Sequence, residues 1–376
     1  MKLASPFVFV AVMSLGGCGP ASGGGEASSS SAPTARAQTS TPATGSAASS
    51  GSVAASAAAS AAPTSNIPAV ACTAQGDKPA LLADLDGTPR DAALDPARLF
   101  WIETTFLDKK ESRLRSVAKD GSDAKLLATW PGGVADALAV EGDTVYVTAE
   151  HTLFAVPREG GTPRKLENEI FGTLAVRAGV IYTFRHDPGV KQDQLIAIAA
   201  ASGTTVLATW PRTREFPDVW SFAVDEDGKL LVVEPDGVAR LDPATKAKQS
   251  VPFTNKGQPA KLYAISNRPA LRGQLVAFGG KGVAPLSGGE LTGPALELPI
   301  AFFGHSVVGV ESTHDDIGGA FPASVVQAST TSDKKRSLRK MAGFQGAITG
   351  DDACVYVLNA VRGQKAKVEA YAISPL

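Results

Sequence analysis

The 376-residue chain carries 36 Lys and Arg against 37 Asp and Glu, a formal charge of −1, with 44% hydrophobic and 19% charged residues. This balance supports a globular domain and gives no electrostatic footprint for nucleic acid. The chain also lacks a Gly-x-Ser-x-Gly elbow, a Gly-Lys-Ser phosphate loop, a Cys-x-x-Cys pair and a His-Glu-x-x-His string, so the common local signatures of hydrolysis, nucleotide binding and zinc proteolysis are absent.

The N-terminus reads as a signal peptide: Met1-Lys2-Leu3 is a minimal basic region, followed by the apolar run Phe7 to Leu15, too short for a mature transmembrane helix. Leu15-Gly16-Gly17-Cys18 resembles the bacterial lipobox. Cys18 is then the lipid-attachment residue and mature N-terminus, and residues 1–17 are removed. The anchor implies the cell envelope, and Gly19, rather than Asp, after the cysteine favours the outer membrane, at its periplasmic face or the cell surface. Cleavage removes one lysine, leaving 35 basic and 37 acidic residues, a charge of −2.

Residues 18–66 are almost wholly Ala, Ser, Gly, Thr and Pro, with Glu26 and Arg36 as the only charges. Such a composition cannot bury a core and reads as a disordered tether of about 40 Å end-to-end distance. With Cys18 assigned to lipid, Cys72 and Cys354 are left in an exported protein and are expected to form a disulfide, two separate buried thiols being the alternative. Closing so long a loop would contribute at most about 5 kcal/mol.

Residues 67–376 form the folded domain. Leu138 to Asn168 divides into four strand-length runs, Leu138 to Val140, Val145 to Thr148, Leu153 to Val156 and Arg164 to Leu166, separated by Glu141-Gly142-Asp143, Glu150-His151 and Glu159-Gly160-Gly161. This is a four-stranded meander that needs neighbours to bury its faces. Related units occupy Asp91 to Gly133, Phe171 to Arg212 and Asp218 to Pro252. The first and third share Ala-Thr-Trp-Pro, at 128–131 and 208–211. Weaker units begin at Leu262 and Val307, and a seventh, Ala347 to Pro375, is one outer strand short. Lys78 to Asp84 resembles the outer strands Lys125 to Thr129 and Arg164 to Asn168, so the N-terminal strand is expected to complete the last unit. The fold class is therefore all-β: a seven-bladed β-propeller of four-stranded antiparallel blades, with six or eight blades and tandem β-sandwiches as alternatives.

Asp143 to Thr148, followed by Phe154 to Gly161, resembles the repeats of bacterial TolB-like and YWTD-like propellers, a type common in lipoproteins. The resemblance implies fold far more than function. No unit has the full Tyr-Trp-Thr-Asp string; Phe100-Trp101-Ile102-Glu103 comes nearest.

In a propeller, the turns between second and third strands and the connectors between blades share one face around the channel mouth. Here that face is expected to gather Glu103 to Glu111, Glu150, His151, Arg185, His186, Asp187, Asp218, Trp220, His314, Asp315 and Asp316. His186 with Asp187, or His314 with Asp315 and Asp316, are the candidate bases or metal ligands, set against a reading as solvated turn residues. No catalytic residue, metal or cofactor is implied. Asp225 to Gly228 and Gly279 to Gly282 read as hairpin turns, Lys334-Lys335-Arg336 as a solvated outer strand, and Trp130 and Trp210 as blade-to-blade packing. The sequence thus reads as a tethered, non-catalytic binding or scaffold module. Its expected partners are the membrane, through the lipid, and another envelope protein. An envelope hydrolase or lyase, or a glycan- or peptidoglycan-binding module, is the alternative.

Overall fold

The computed structural model describes residues 71–373 apart from 72, 75–77, 106–109, 188, 201, 213–220, 226, 235, 261, 263, 267–273, 279–281, 293–296, 304–305, 313–322, 330, 333, 352 and 361–364. Cys18, Cys72, Asp218, Trp220, His314, Asp315 and Asp316 lie outside the described residues.

Every regular element among the described residues is a β-strand. β1 (Ala80–Asp84) precedes the first blade, β2 to β5 (Thr88–Leu94, Arg98–Thr105, Glu111–Ala118, Lys125–Pro131). The second is β6 to β9 (Ala135–Glu141, Thr144–Ala149, Thr152–Pro157, Arg164–Asn168), and the third is β10 to β13 (Ile170–Arg177, Val180–Asp187, Gln192–Ala199, Gly203–Pro211). The fourth is β14 to β17 (Phe222–Val224, Leu230–Glu234, Gly237–Leu241, Lys248–Val251). After β18 (Phe253–Asn255) and β19 (Gln258–Pro259), the fifth blade shows three paired strands, β20 to β22 (Ala264–Ser266, Gln274–Phe278, Gly282–Pro285). β23 (Gly289–Glu290) follows it and pairs in parallel with β18. The sixth blade is β24 to β27 (Glu297–Phe303, Ser306–Ser312, Ala323–Ser329, Lys335–Met341), and the seventh is β28 to β30 (Gly346–Gly350, Cys354–Asn359, Lys367–Ala372).

The seventh blade takes its fourth strand from the other end of the domain: β1 pairs antiparallel with β30, Ala80 opposite Ala370 and Asp84 opposite Lys367. The innermost strands neighbour one another around the ring in the order β24, β28, β2, β6, β10, β14 and β20. Seven blades and an N-terminal closing strand agree with the sequence reading. The weak units differ in detail. Among the described residues the fifth blade shows three paired strands, and the sixth starts at Glu297 rather than Val307, because its inner strand Glu-Leu-Pro-Ile-Ala-Phe-Phe has no alternation to mark it.

Apolar clusters lie between blades rather than within them. Leu82, Trp101, Val117, Tyr356 and Val368 fill the seam between the seventh and first blades. Comparable clusters fill the seams between the first and second, second and third, third and fourth, fourth and fifth, and sixth and seventh blades. A meander has two faces and must bury both, which is why the blade cannot stand alone.

One device recurs in the outer strands. The pairing register slips by one residue at Leu127, Leu166, Leu207 and Leu338, and at Leu82 in β1. Each bulge places its leucine in the cluster against the following blade. A bulge leaves one residue out of the ladder and re-aims its side chain. In β1 and β5 the residue before it, Leu81 or Leu126, is exposed, while Leu82 and Leu127 are buried. Full burial of one such leucine contributes about 1.5–3 kcal/mol.

Polar contacts also lock the ring closure. Lys119 of the first blade, almost fully buried, pairs with Asp351 of the seventh at 2.7 Å. The Asp86 carboxylate, in the connector from β1 to β2, meets both Arg113 and Arg115 of β4. Arg115 Nε lies 2.9 Å from the carboxylate of Glu103, whose side chain is 0% exposed. Glu103 was expected on the channel-mouth face, but strand alternation puts it beside Trp101 in the seam, where the indole Nε1 donates to it at 3.4 Å.

Candidate functional site

The turns β3–β4, β7–β8 and β11–β12 and the connectors between blades occupy one face, and backbone hydrogen bonds stitch them together. The carbonyls of Lys110 and Lys191 accept from the amides of Gly132 and Arg212 in the connector that leaves the same blade, and that of His151 from the amide of Ile170, which opens the next inner strand. On the entering side, Glu150 N donates to Val134 O, and His186 N to Glu169 O. Each of these second-to-third-strand turns is therefore held on at least one side, and the second- and third-blade turns on both. Among the described residues of this face, backbone hydrogen bonds thus tie the turns to their neighbours.

Glu150 and His151 form the two-residue turn of the second blade with φ of 49° and 56°, the left-handed pair that Asn-Gly adopts most readily. Glu169 and Lys191 on the same face are also left-handed, at 56° and 51°. Holding non-glycine residues this way costs about 1–2 kcal/mol each. Glu150 Oε1 accepts from Val134 N at 2.7 Å and lies 3.7 Å from Lys110 Nζ of the first blade.

Just inside the mouth, the inner strands β2, β6, β10 and β24 each lose register near their first residues, at Arg90, Asp136, Gly172-Thr173 and 298–300. Bulges concentrate next to binding sites because they re-aim side chains. Arg90 and Asp136 thus stand on adjacent blades at one level. Burial pushes the Asp136 carboxyl up, opposed by the charges of Arg90 and His151, with Glu150 adding to the rise and Lys110 opposing it. Asp136 is nevertheless exposed by surface area.

In the third blade the imidazole pairs not with its sequence neighbour but across the strands: His186 Nδ1 lies 3.1 Å from Oδ1 of Asp193. Neighbouring residues of a strand point to opposite faces, whereas His186 and Asp193 are opposite one another in the β11–β12 register. Asp187 instead caps its own turn through Gly189 N at 3.1 Å and accepts from Gln194 Nε2 at 3.4 Å. Arg185 points to the other side of the blade, to Gln194 and Glu167. Asp193 side-chain exposure is 3% and that of His186 is 21%. Trp210 lies next to Asp193 across β13, donating its indole N–H to Glu234 of the fourth blade at 3.0 Å, with Lys248 Nζ over its ring at 4.6 Å. Trp130, its counterpart in the first blade, packs on Phe154 of the second at 5.8 Å. Both tryptophans are blade-to-blade packing residues, as the repeat indicates.

The basic run of β27 is an outer strand and is largely committed: Lys335 pairs with Glu311, Arg336 donates to Gln327 at 2.9 Å, and Arg339 meets Glu369. Asp225 closes a hairpin, with Lys229 N and Gly228 N bonded within the turn. Among the described residues no group of three or more His, Cys, Asp or Glu side chains is placed to hold a metal ion. Sequence reading missed Arg90, Asp136 and Asp193, while Lys110 lies within the expected stretch Glu103 to Glu111. The inner-strand positions depend on bulges that leave no local pattern, while Asp193 could have been found by pairing β11 with β12 in register.

No protein-family model matches the chain, and no curated protein matches it. Among solved structures, it is similar to the computationally designed Ika8 protein, at 14% identity and a TM-score of 0.45 over 78% of this chain and 99% of that one. It is also similar to the tricorn protease, at 10% identity and 0.37 over 74% and 37%, and to HIRA(644-1017), at 15% and 0.30 over 49% and 57%. At these identities and scores neither activity nor partner transfers, and the β-propeller stands on the strand pairing of the chain itself.

Proposed function

We propose that this chain is a lipid-anchored envelope propeller that acts as a protein-binding module, with the channel-mouth face of the first to third blades as its docking surface. One observation carries the reading: Glu150 and His151, two successive exposed non-glycine residues, form a left-handed turn on that face that backbone hydrogen bonds pin to Val134 and Ile170. Pinned turns reduce the ordering cost of association.

In this reading Cys18 carries the lipid, residues 18–66 form the tether, and Cys72 bonds Cys354, joining the start of the domain to its last blade. Cys354 is buried in the cluster that also holds Leu82 and Leu85, which follow Cys72 in the chain. The resemblance to TolB-like and YWTD-like lipoprotein propellers points the same way.

The test has two parts. Radiolabelled palmitate should enter the wild-type chain and not Cys18→Ala, and the variant should leave the membrane fraction. A photocrosslinking residue at 151 should then give a defined adduct in intact cells, and one at 246, on the opposite face, should not. Labelling absent from wild type removes the anchor; equal adducts from both positions remove the docking face.

A further inference from the structure

The two blades that share Ala-Thr-Trp-Pro provide an internal comparison. In the first blade, Thr104, Ser112 and Trp130 stand in one row across β3, β4 and β5. The Thr104 and Ser112 hydroxyls are 2.8 Å apart and buried, and the Ser112 hydroxyl also donates to Gly133 O in the connector and accepts from Ala135 N at the start of β6. The third blade repeats the row with His186, Asp193 and Trp210. The same frame, with the same tryptophan and the same leucine bulge three residues before it, is thus satisfied by two neutral hydroxyls. An imidazole and a buried carboxylate exceed what the frame requires.

A carboxylate can only accept, so Nδ1–H donates to Asp193 and the lone pair of His186 resides on Nε2. The orientation is fixed by a carboxylate that is itself nearly free of solvent. We propose that His186 is a general base at the channel-mouth end of the third-to-fourth-blade seam, acting on activated carboxylic esters, with Asp193 as its positioning residue. Nε2 takes a proton from water as the water oxygen forms a bond to the carbonyl carbon. The tetrahedral adduct collapses with cleavage of the C–O bond to the alcohol, and the departing oxygen takes the proton back from Nε2. Asp193 stabilises the imidazolium formed between the two transfers without itself being protonated. No further reactant is consumed.

The experiment is hydrolysis of p-nitrophenyl acetate by the full chain, compared with His186→Thr/Asp193→Ser, which installs the row of the first blade and is expected to fold as that blade does. At least a ten-fold loss of kcat/KM is expected, with Asp193→Asn lowering kcat at unchanged KM. His186→Ala should recover turnover on addition of imidazole, which a packing role would not allow. If the double variant fails to fold, His186→Gln, which keeps a donor for Asp193, takes its place. A wild-type rate no higher than that of free imidazole at equal histidine concentration would overturn the proposal, as would a folded double variant with undiminished turnover.

Discussion

Arg158 in the second blade donates through Nε to Oδ2 of Asp95 in the first, at 2.6 Å, while Oδ1 of the same aspartate caps its own turn by accepting from Ala97 N and Arg98 N, both at 2.7 Å. Asp351 repeats this around the closure: Oδ1 accepts from Ala353 N and Cys354 N, and Oδ2 meets Lys119 of the first blade. One carboxylate shapes a turn and clamps the next blade to it. The basic partners, Lys119 and Arg158, are the residues that open the aligned Lys-Asp-Gly and Arg-Glu-Gly turns.

Asp95→Ala should therefore lose both functions and leave the mostly buried Arg158 guanidinium with the exposed Glu159 carboxylate as its ion-pair partner. A loss of about 3 kcal/mol is expected, within the range for breaking a buried pair. Asp95→Asn, which keeps an oxygen for the turn, should lose less. Urea unfolding of both, with Arg158→Met and the double variant completing a cycle, separates the clamp from the cap.

The outer-strand bulge makes a sharp contrast between adjacent residues. Leu127→Ala should cost about 2–4 kcal/mol, because the side chain fills the seam to the second blade, whereas Leu126→Ala, at an exposed position, should stay within about 0.5 kcal/mol of wild type. Equal losses at the two positions in denaturant unfolding would contradict the bulge.

Glu103 sets a pH dependence at the ring closure. Burial raises its carboxyl, opposed chiefly by Arg115 and then by the Trp101 indole; Asp86 adds a further rise through its charge and a fall through its amide. The folded chain then holds the proton more tightly than the unfolded one. This contribution to stability is complete below the unfolded value of about 4.3 and is lost as pH rises through the higher folded value. Unfolding free energy followed upward from pH 4 should decline over that window, and Glu103→Gln should flatten the decline. A slope unchanged in the variant assigns it to other groups.

His151→Gly should stabilise the domain. It removes about 1–2 kcal/mol of left-handed strain and adds about 0.5–1 kcal/mol of chain entropy cost, for a net gain of about 0.5–1 kcal/mol. The carbonyl bond to Ile170 is backbone and survives. A lower melting temperature would show that the imidazole makes a compensating contact.

The sequence by itself determined the all-β class, the four-strand unit, the recurrence of the Trp130 and Trp210 positions and the pairing of the N-terminal strand with the last blade. All of these are carried by residues close in the chain: alternating apolar runs, glycine turns, and an outer strand whose Leu-Leu-Ala reads the same at 81–83 and 126–128. Tertiary structure decided which side chains meet. Whether Glu103 faced solvent or a seam depended on one step of strand alternation, and whether Leu82 or Leu81 was buried depended on a bulge that no local pattern marks. His186 found its carboxylate seven residues away in Asp193 rather than next door in Asp187, because a hairpin's register, and not proximity in the chain, puts two side chains on one face.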